Sequence, residues 1–245
     1  MNLVQKSPIG LGLACLLMLS NCSKEDVPTP EPGKSQNTSS NMRGVGGGLI
    51  SLPALSPTNG PTGLNVYPSG WRRSATASND LFAYPTGTSS CQHLWGDISV
   101  PWEKLILKES VSSIATVSTS AKINLLNEAS TANKRSAVET TIKFLKPGKK
   151  YEVTVHVATT KLFDFFKNAA YANVLALDLV RPTGIVPLSN TLINQSKQAV
   201  WVSQTITFEA TNEEEILRFT AYTDVDNKLA YAHIYVDENA IKELP

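Results

Sequence analysis

The sequence predicts an all-β chain, folded as an antiparallel β-sandwich with one short helix. Hydrophobic and polar residues alternate through most of the segment that begins near residue 64, which is the period of half-buried strands. Turn signals such as Lys146-Pro147-Gly148-Lys149 separate these segments. Of the 245 residues, 42% are hydrophobic and 18% are charged, so the chain is long enough to bury a sizeable core.

The strand predictions rest on rows of inward-facing hydrophobic side chains. The clearest segment is 151–157, where hydrophobic residues alternate with Glu152, Thr154 and His156. The predicted inward rows are Tyr151, Val153, Val155 and Val157; Leu175, Leu177 and Leu179; Val200, Val202, Ile206 and Phe208; Leu217, Phe219 and Ala221; and Ala232, Ile234 and Val236. Segments 105–111, 122–126 and 138–145 are weaker strand candidates.

Helical spacing occurs at residues 161–171, where hydrophobic side chains recur at positions 162, 165, 166 and 169. We expect Phe163, Phe165 and Phe166 to cap one end of the core, because large exposed apolar patches are uncommon. One short helix among about eight strands favours a sandwich of two sheets.

Residues 1–21 have the features of a cleaved signal peptide. Lys6 precedes an apolar run at residues 9–19, which is too short to span a bilayer as a helix. The segment Leu19-Ser20-Asn21-Cys22 resembles the bacterial lipobox, and Ser23-Lys24-Glu25-Asp26 resembles the tract that directs Bacteroidota-type lipoproteins to the cell surface. This resemblance implies acylation of Cys22, with palmitate among the acyl chains, and an outer-membrane anchor that faces the cell exterior. An ordinary cleaved signal remains the alternative.

Residues 22–60 are rich in Pro, Ser, Thr, Asn and Gly. Such a composition has few apolar side chains to offset the entropy of ordering, so it predicts a flexible tether after the acylated cysteine. The apolar residues at 49–55 are able to pack against the domain, so the boundary between the tether and the domain is approximate. We assign the β-sandwich domain to residues 61–245.

The charge balance and the motifs narrow the function classes. Twenty-two Lys and Arg residues against 21 Asp and Glu residues leave a net charge of +1, which argues against a nucleic-acid binder. No nucleophile elbow, zinc-protease motif or phosphate loop occurs, so we predict neither an enzyme nor a cofactor. We interpret Cys91, which lies near His93 in the sequence, as a buried inert thiol. We interpret residues 224–227 as a solvated turn rather than a calcium-binding loop, with Asp237 as the other candidate calcium ligand.

The segment 145–155, Leu-Lys-Pro-Gly-Lys-Lys-Tyr-Glu-Val-Thr-Val, resembles the strand entry of jelly-roll carbohydrate-binding modules and galactose-binding-like domains. Segments 201–210, 217–219, 234–237 and 241–243 are similar to the closing strands of such modules. The resemblance covers roughly residues 98–245. It implies two antiparallel sheets and a binding surface without catalytic activity.

Candidate ligand-binding residues come from strand parity, because they lie opposite the inward rows. Trp201 shares its outward row with Ser203, Thr205 and Thr207. The candidates on these outward rows are Trp201, Arg218, Tyr222, Tyr231, His233 and His156. Aromatic rings stack on the C–H faces of sugars, and polar groups bond to their hydroxyls. One alternative is that outward tyrosine and threonine are present simply because they favour strands. Another is that the segment at residues 64–97 covers this side of the sheet.

A second candidate is Trp71, which precedes Arg72 and Arg73 in a loop-rich stretch. An indole beside two guanidinium groups suits a sugar ring or an anionic glycan. The alternative is a tryptophan that folds back to anchor its own loop, since tryptophan is usually highly buried.

The sequence thus predicts a non-catalytic surface lipoprotein that binds glycan through an aromatic and polar sheet face. A protein-interaction or structural subunit of an outer-membrane or fimbrial assembly is the alternative. The expected partners are a glycan or a surface protein, and the membrane through the lipid anchor.

Overall fold

A computed structural model describes residues 51–77, 80–100, 102–103, 111–122, 134–163, 169–224 and 228–245, all of which fall in one compact unit. Within the described residues, short 3₁₀ turns lie at Leu94–Gly96 and Gln195–Lys197. In chain order, the strands within the described residues are β1 (Gly63–Leu64), β2 (Trp71–Arg73), β3 (Gly87–Ser90), β4 (Ser113–Thr119), β5 (Ala137–Ile142), β6 (Lys150–Thr160), β7 (Ala169–Tyr171), β8 (Val174–Arg181), β9 (Gly184–Leu192), β10 (Val202–Glu209), β11 (Glu215–Tyr222), β12 (Leu229–Tyr235) and β13 (Ile241–Glu243).

The strands form two sheets that pack face to face. The eight-stranded sheet has the order β1-β3-β4-β12-β6-β10, with β13 beside β6 and β7 beside β12. The five-stranded sheet has the order β2-β5-β11-β8-β9. All pairs are antiparallel apart from β7 with β12, which is parallel. The prediction of an all-β antiparallel sandwich is therefore confirmed.

The main core lies between the sheets and is built from the alternating rows that the sequence predicted. The inward side chains of β6, β8 and β11 are almost completely buried, and those of β10 and β12 join the same cluster. Each strand contributes every second side chain to this cluster, because successive residues point to opposite faces of a sheet.

A second hydrophobic cluster covers part of the outer face of the eight-stranded sheet. It combines side chains of β4, β6 and β12 with those of the chain between Cys91 and Val111. Its buried members are Cys91, Leu94, Trp102, Val111, Ile114, Ala158, Leu162, Tyr231 and Tyr235. The alternative in which residues 64–97 cover this side of the sheet is therefore confirmed for part of the face, through Cys91 and Leu94. Trp102 and Val111, which follow residue 97 in the chain, also belong to the cover.

Residues 54–58 pack in the sandwich, inside the segment that the composition assigned to the tether. Ala54 forms a bridge with Lys143, and Leu55 belongs to the main core. Thr58 is fully buried; its N–H donates to the carbonyl of Val236 at 3.2 Å and its Oγ1 accepts from the N–H of Val236 at 3.1 Å. The apolar island around Leu55 thus docks, because burial of leucine offsets the ordering of the chain.

The predicted helix at residues 161–171 is wrong at its C-terminal end, where Ala169–Tyr171 forms β7 beside β12. The backbone hydrogen bonds of a sheet outweigh the weak helical spacing here. Phe163 has 42% of its surface exposed, so its predicted role as a core cap is also wrong. Phe165 and Phe166 lie outside the described residues, as do most of the strand candidate at 105–111 and most of that at 122–126.

In the part of the chain that the structure describes, no helix is long and apolar enough to cross a membrane. The predicted signal peptide, Cys22 and most of the predicted tether lie outside that part.

Candidate functional site

The outer face of the eight-stranded sheet divides into two halves. The covered half lies on β4, β12 and the end of β6, beneath the second hydrophobic cluster; it consists of Thr116, Ser118, Ala158, Thr160, Tyr231 and His233, all of them buried. The open half lies on β6 and β10 and consists of Glu152, Thr154, His156, Ser203, Thr205 and Thr207, all of them partly or fully exposed. Register places these residues on one face, because directly opposed partners share a face.

His233 lies at the centre of the covered half, with none of its surface exposed. Its Nδ1 is 3.1 Å from Thr116 Oγ1 and its Nε2 is 2.8 Å from Thr160 Oγ1. The imidazole and the Trp102 ring pack in an edge-to-face arrangement, with their centroids 4.4 Å apart. The imidazole therefore bridges β4, β12 and β6 beneath an aromatic cover.

The surrounding hydrogen bonds assign the tautomer of His233. Thr116 donates its hydroxyl proton to Ser89 Oγ at 2.9 Å, so Thr116 accepts from Nδ1–H and Nε2 accepts from Thr160. Ser89 Oγ also accepts from the N–H of Trp95 at 3.0 Å. Burial lowers the pKa of His233 to about 3, because a charge there would lose its hydration. The ring is neutral and serves as a structural link.

The open half is a strip of hydroxyl groups that faces solvent. Register opposes Ser203 to His156, and Thr205 to Thr154. The Oγ1 atoms of Thr154 and Thr205 are 3.0 Å apart. Neighbouring strands lie about 4.8 Å apart and each residue rises about 3.3 Å, so the strip offers polar groups at regular intervals along two strands.

A salt bridge closes one end of the open half. The Nζ atom of Lys242 on β13 is 2.7 Å from Oε1 of Glu152, and register places the two residues opposite each other. The Lys242 side chain is 66% exposed and the Glu152 side chain 25% exposed. Both groups can exchange part of this contact for a hydrogen bond with a ligand hydroxyl, because surface ion pairs contribute little to stability.

Aromatic side chains close the other end. The His156 ring stacks on Tyr235 with a centroid distance of 6.1 Å and an interplanar angle of 25°. Trp201 extends the outward row of β10 and is partly exposed, while it packs against the second cluster. The Nε1 atom of Trp201 is buried and has no hydrogen-bond partner among the described residues. The strip of hydroxyls thus ends at an aromatic wall.

Two segments that carry tryptophans packed against the second cluster each include a residue in the left-handed conformation. Ala199 has φ of 53°, two residues before Trp201, and Trp95 has φ of 55°. Trp95 is also partly exposed and packs against the second cluster. This conformation costs non-glycine residues about 1–3 kcal/mol and is typical of positions that the surrounding structure holds in place.

The predicted ligand-binding residues do not share one open surface. His156 and Trp201 lie at the open half. Tyr231 and His233 lie in the covered half and are buried, and burial raises the pKa of the Tyr231 hydroxyl to about 12. The expectation that these two side chains face solvent is wrong, since strand parity selects the face of a sheet but not what covers that face.

Arg218 belongs to the other sheet, where it is 2% exposed. Its Nη2 atom is 2.6 Å from Oδ2 of Asp178, and its Nη1 atom donates to Thr76 Oγ1 at 2.8 Å. Register places Arg218 beside Glu139, whose Oε1 accepts from Arg72 Nε at 2.8 Å. Cationic and anionic side chains thus alternate across four strands, so the guanidinium stabilises the sheet and the expected exposure is wrong.

Tyr222 and Trp71 are also buried in the five-stranded sheet. The guanidinium of Arg135 lies 4.4 Å from the centroid of the Tyr222 ring and contacts its hydroxyl. Trp71 belongs to the main core, and its Nε1 donates to the carbonyl of Ser56 at 3.0 Å. The expectation of a ligand-facing Trp71 is wrong, and the alternative of an anchoring tryptophan is confirmed.

Cys91 is buried, and its thiol donates to the carbonyl of Val111 at 3.4 Å. Burial raises the pKa of the thiol to about 11, so the nucleophilic thiolate is scarce at neutral pH. The prediction that Cys91 is buried is confirmed. Across the described ranges, no three His, Cys, Asp or Glu side chains are grouped in a way that would hold a metal ion. Most of the turn at 224–227 lies outside those ranges.

The residues that make the open half polar are not among the predicted ligand-binding residues, although the alternation of residues 201–207 places Ser203, Thr205 and Thr207 on the row of Trp201. Single hydroxyl residues on a strand carry little signal, because threonine and serine occupy exposed strand positions for many reasons. Their significance comes from the pairing of β10 with β6.

No protein-family model matches the chain, and no curated protein matches it. Among solved structures, the chain is similar to the K2 cleaved adhesin domain of Lys-gingipain, with 12% identity, coverage of 78% of this chain and 97% of that one, and a TM-score of 0.41. It is similar to TmCBM61, solved in complex with β-1,4-galactotriose (9% identity, 72% and 88% coverage, TM-score 0.39). It is also similar to the N-terminal cellulose-binding domain from Cellulomonas fimi β-1,4-glucanase C (11% identity, 78% and 99% coverage, TM-score 0.36). Identities this low concern the fold alone.

Proposed function

We propose that the open half binds glycan chains without cleaving them. The observation that carries the proposal is the row of exposed hydroxyl groups on β10 (Ser203, Thr205 and Thr207), which lies beside Thr154 and His156 of β6 and ends at the partly exposed Trp201. A sugar presents both a C–H face and hydroxyl groups, and this surface offers a partner for each.

In this proposal a sugar ring stacks on the indole of Trp201, and the following ring lies along β10. The hydroxyls of Ser203 and Thr205 donate to and accept from the sugar hydroxyls, as does His156 on the neighbouring strand. From His156 to Glu152 the strip is about 13 Å long, which accommodates a short oligosaccharide. The Glu152–Lys242 pair provides a further acceptor and donor at the far end.

The test is a screen of glycans followed by affinity measurements on variants of the open half. We expect retardation in native gels that contain the recognised polysaccharide, and a loss of affinity of about tenfold or more in Trp201→Ala, the size of effect that removal of a stacking partner has. Thr205→Ala removes one hydroxyl and is expected to weaken binding by a smaller factor. Denaturation curves establish that each variant is folded.

Thr183→Ala is the matched control for Thr205→Ala, because Thr183 is exposed in the turn between β8 and β9, on the other sheet. The control is expected to bind as the parent chain does. A broad glycan array without any ligand, or unchanged binding by Trp201→Ala, would refute the proposal.

We also propose that the domain is displayed as a lipoprotein, on the sequence of residues 19–26. Acyl chains on Cys22 would hold the domain at an outer membrane, and the polar segment after Cys22 would separate it from the lipid. Metabolic labelling with an alkyne-tagged fatty acid in a bacterial host should label the parent chain and not Cys22→Ser. Labelling that persists in Cys22→Ser would exclude acylation at this position.

A further inference from the structure

The last strand of the eight-stranded sheet, β10, has an outer edge on which the described residues place no strand. Unpaired main-chain donors and acceptors on a sheet edge are a template for another strand. At eight residues, β10 is a long edge strand, whereas the opposite end of the same sheet is the two-residue strand β1.

The direction of the main-chain groups follows from the pairing of β10 with β6. Ala210 donates its N–H to the carbonyl of Lys149 at 2.9 Å, and main-chain groups alternate in direction along an antiparallel strand. The groups of Val202, Gln204, Ile206 and Phe208 therefore point to β6. Those of Ser203, Thr205, Thr207 and Glu209 point outward.

The contacts of the outward carbonyls agree with this assignment. The carbonyl of Thr205 accepts from the amide of Gln204 at 3.3 Å, and that of Glu209 accepts from Arg181 Nη2 at 2.8 Å. Both donors are side chains. The outward N–H groups of Ser203, Thr205 and Thr207 have no main-chain partner in the described part of the chain.

The neighbouring edge strand, β9, carries the protection that β10 lacks. Pro187 removes one N–H from β9, and a bulge interrupts its pairing with β8 between Leu177 and Asp178. Proline and bulges are devices that block strand addition. The sequence of β10 contains no proline, lysine or arginine.

We propose that two copies of this chain associate through antiparallel pairing of their β10 strands, centred on Thr205. In this register Thr205 faces Thr205 of the second copy, and Ser203 faces Thr207. Threonine and serine pairs are favourable across antiparallel strands. The amide of Gln204 gives up its contact with the Thr205 carbonyl to the N–H of the second copy.

The same register keeps the two Glu209 side chains apart and brings exposed aliphatic side chains of β9 in the two copies towards each other. The charged residue of β10, Glu209, falls opposite Trp201, so the two glutamates do not meet. Thr191 on β9 donates to Oε1 of Gln204 at 2.7 Å, which places β9 beside β10 at this edge. Ile185 and Leu192 are exposed near opposite ends of β9, so a twofold axis at Thr205 brings the Ile185 end of one copy towards the Leu192 end of the other.

The test is sedimentation velocity of the purified chain over a range of concentrations. We expect a concentration-dependent dimer with a dissociation constant in the micromolar range, on the order of 1–100 μM, because one strand pair is a small interface. Thr205→Pro removes an N–H that does not bond to β6, so it is expected to fold and to weaken the dimer about tenfold or more.

A charge pair tests the register itself. Thr205→Lys and Thr205→Glu are each expected to be monomeric, since like charges would face each other across the axis, while an equal mixture of the two should form the dimer. Thr183→Lys controls for the added charge and should dimerise as the parent does. Thr205→Ala keeps the N–H and should also dimerise, which separates this proposal from glycan binding.

A parent chain that stays monomeric over the whole concentration range would overturn the proposal. The proposal would also be overturned if the chain is monomeric because an extended segment of its own residues 1–50 pairs with the free edge of β10. A dimer that survives in Thr205→Pro, or charge variants that do not associate when mixed, would place the interface elsewhere and likewise refute it.

Discussion

The covered and open halves of the eight-stranded sheet hold similar side chains in different surroundings. Each half contains threonine, serine and histidine on outward strand positions. In the covered half, His233 has both ring nitrogens bonded to threonine hydroxyls under Trp102. In the open half, Ser203, Thr205 and Thr207 face solvent. An outward polar residue on a strand is therefore a structural link where other residues cover it, and a possible contact for a ligand where it faces solvent.

The difference has an energetic basis. A polar side chain under a hydrophobic cover must find a partner, because a buried unsatisfied group costs about 1–3 kcal/mol. A polar side chain in water has no such requirement and remains available to a ligand. We therefore expect substitutions in the covered half to change stability, and substitutions in the open half to change binding.

The largest expected effect is that of Trp102→Ala. Trp102 is 2% exposed and forms the centre of the cover, against Tyr231 and His233. Loss of a buried tryptophan costs about 3–5 kcal/mol, which chemical denaturation should report. Trp201→Ala, at the border of the open half, should cost about 1–2 kcal/mol because its side chain is only partly buried. Equal losses in the two variants would contradict the distinction between the halves.

The next effect is the pH dependence that His233 contributes. Above about pH 6.5 the ring is neutral in the folded and the unfolded chain. Below that value the unfolded chain binds a proton that the folded chain, with a His233 pKa of about 3, does not bind. Stability therefore falls with falling pH, by at most about 1.4 kcal/mol per pH unit.

The measurement is the unfolding free energy between about pH 6.5 and 5, above the range in which Glu215 titrates. In Glu215, desolvation opposes ionisation, but hydrogen bonds from Thr211 and Arg181 outweigh it and lower the pKa. His233→Gln should flatten the slope in this window. A parent chain whose stability is constant across the window would show that His233 is accessible to protons when folded.

The last pair of substitutions compares a buried threonine with an exposed one, and the exposed Thr205→Val should show the smallest effect. Thr160→Val removes the hydroxyl that bonds to His233 Nε2 at 2.8 Å and should cost about 1–3 kcal/mol. Thr205→Val removes an exposed hydroxyl and should change stability by about 0.5 kcal/mol or less. Thermal and chemical unfolding of both variants would test the pair, and a large loss in Thr205→Val would show that the open half is part of the folded framework.

Much of the fold was predictable because the strongest strands are amphipathic. The rows on β6, β8 and β11 showed clear alternation, and each proved to be buried. Two long strands were missed. β4 is buried on both faces and consists largely of small and β-branched residues, so its alternation is faint, while β9 contains Gly184 and Pro187, which normally interrupt a strand.

The candidate site was predictable in part. His156 and Trp201 lie at the open half, while Arg218 and Tyr222 lie on the other sheet and Tyr231 and His233 lie under the cover. Parity gave the correct face of each strand. It could not give the partner of each strand, because pairing is set by contacts between residues that are distant in the chain.

The alternating hydrophobic rows by themselves determined that this chain forms a two-sheet sandwich, since burial of apolar surface follows directly from a local period of two residues. Which outward polar residues are exposed to water is set by tertiary contacts. That outcome depends on where the chain between Cys91 and Trp102 lies across the sheet, and on the partners that β10 and β11 find, neither of which has a local signal in the sequence.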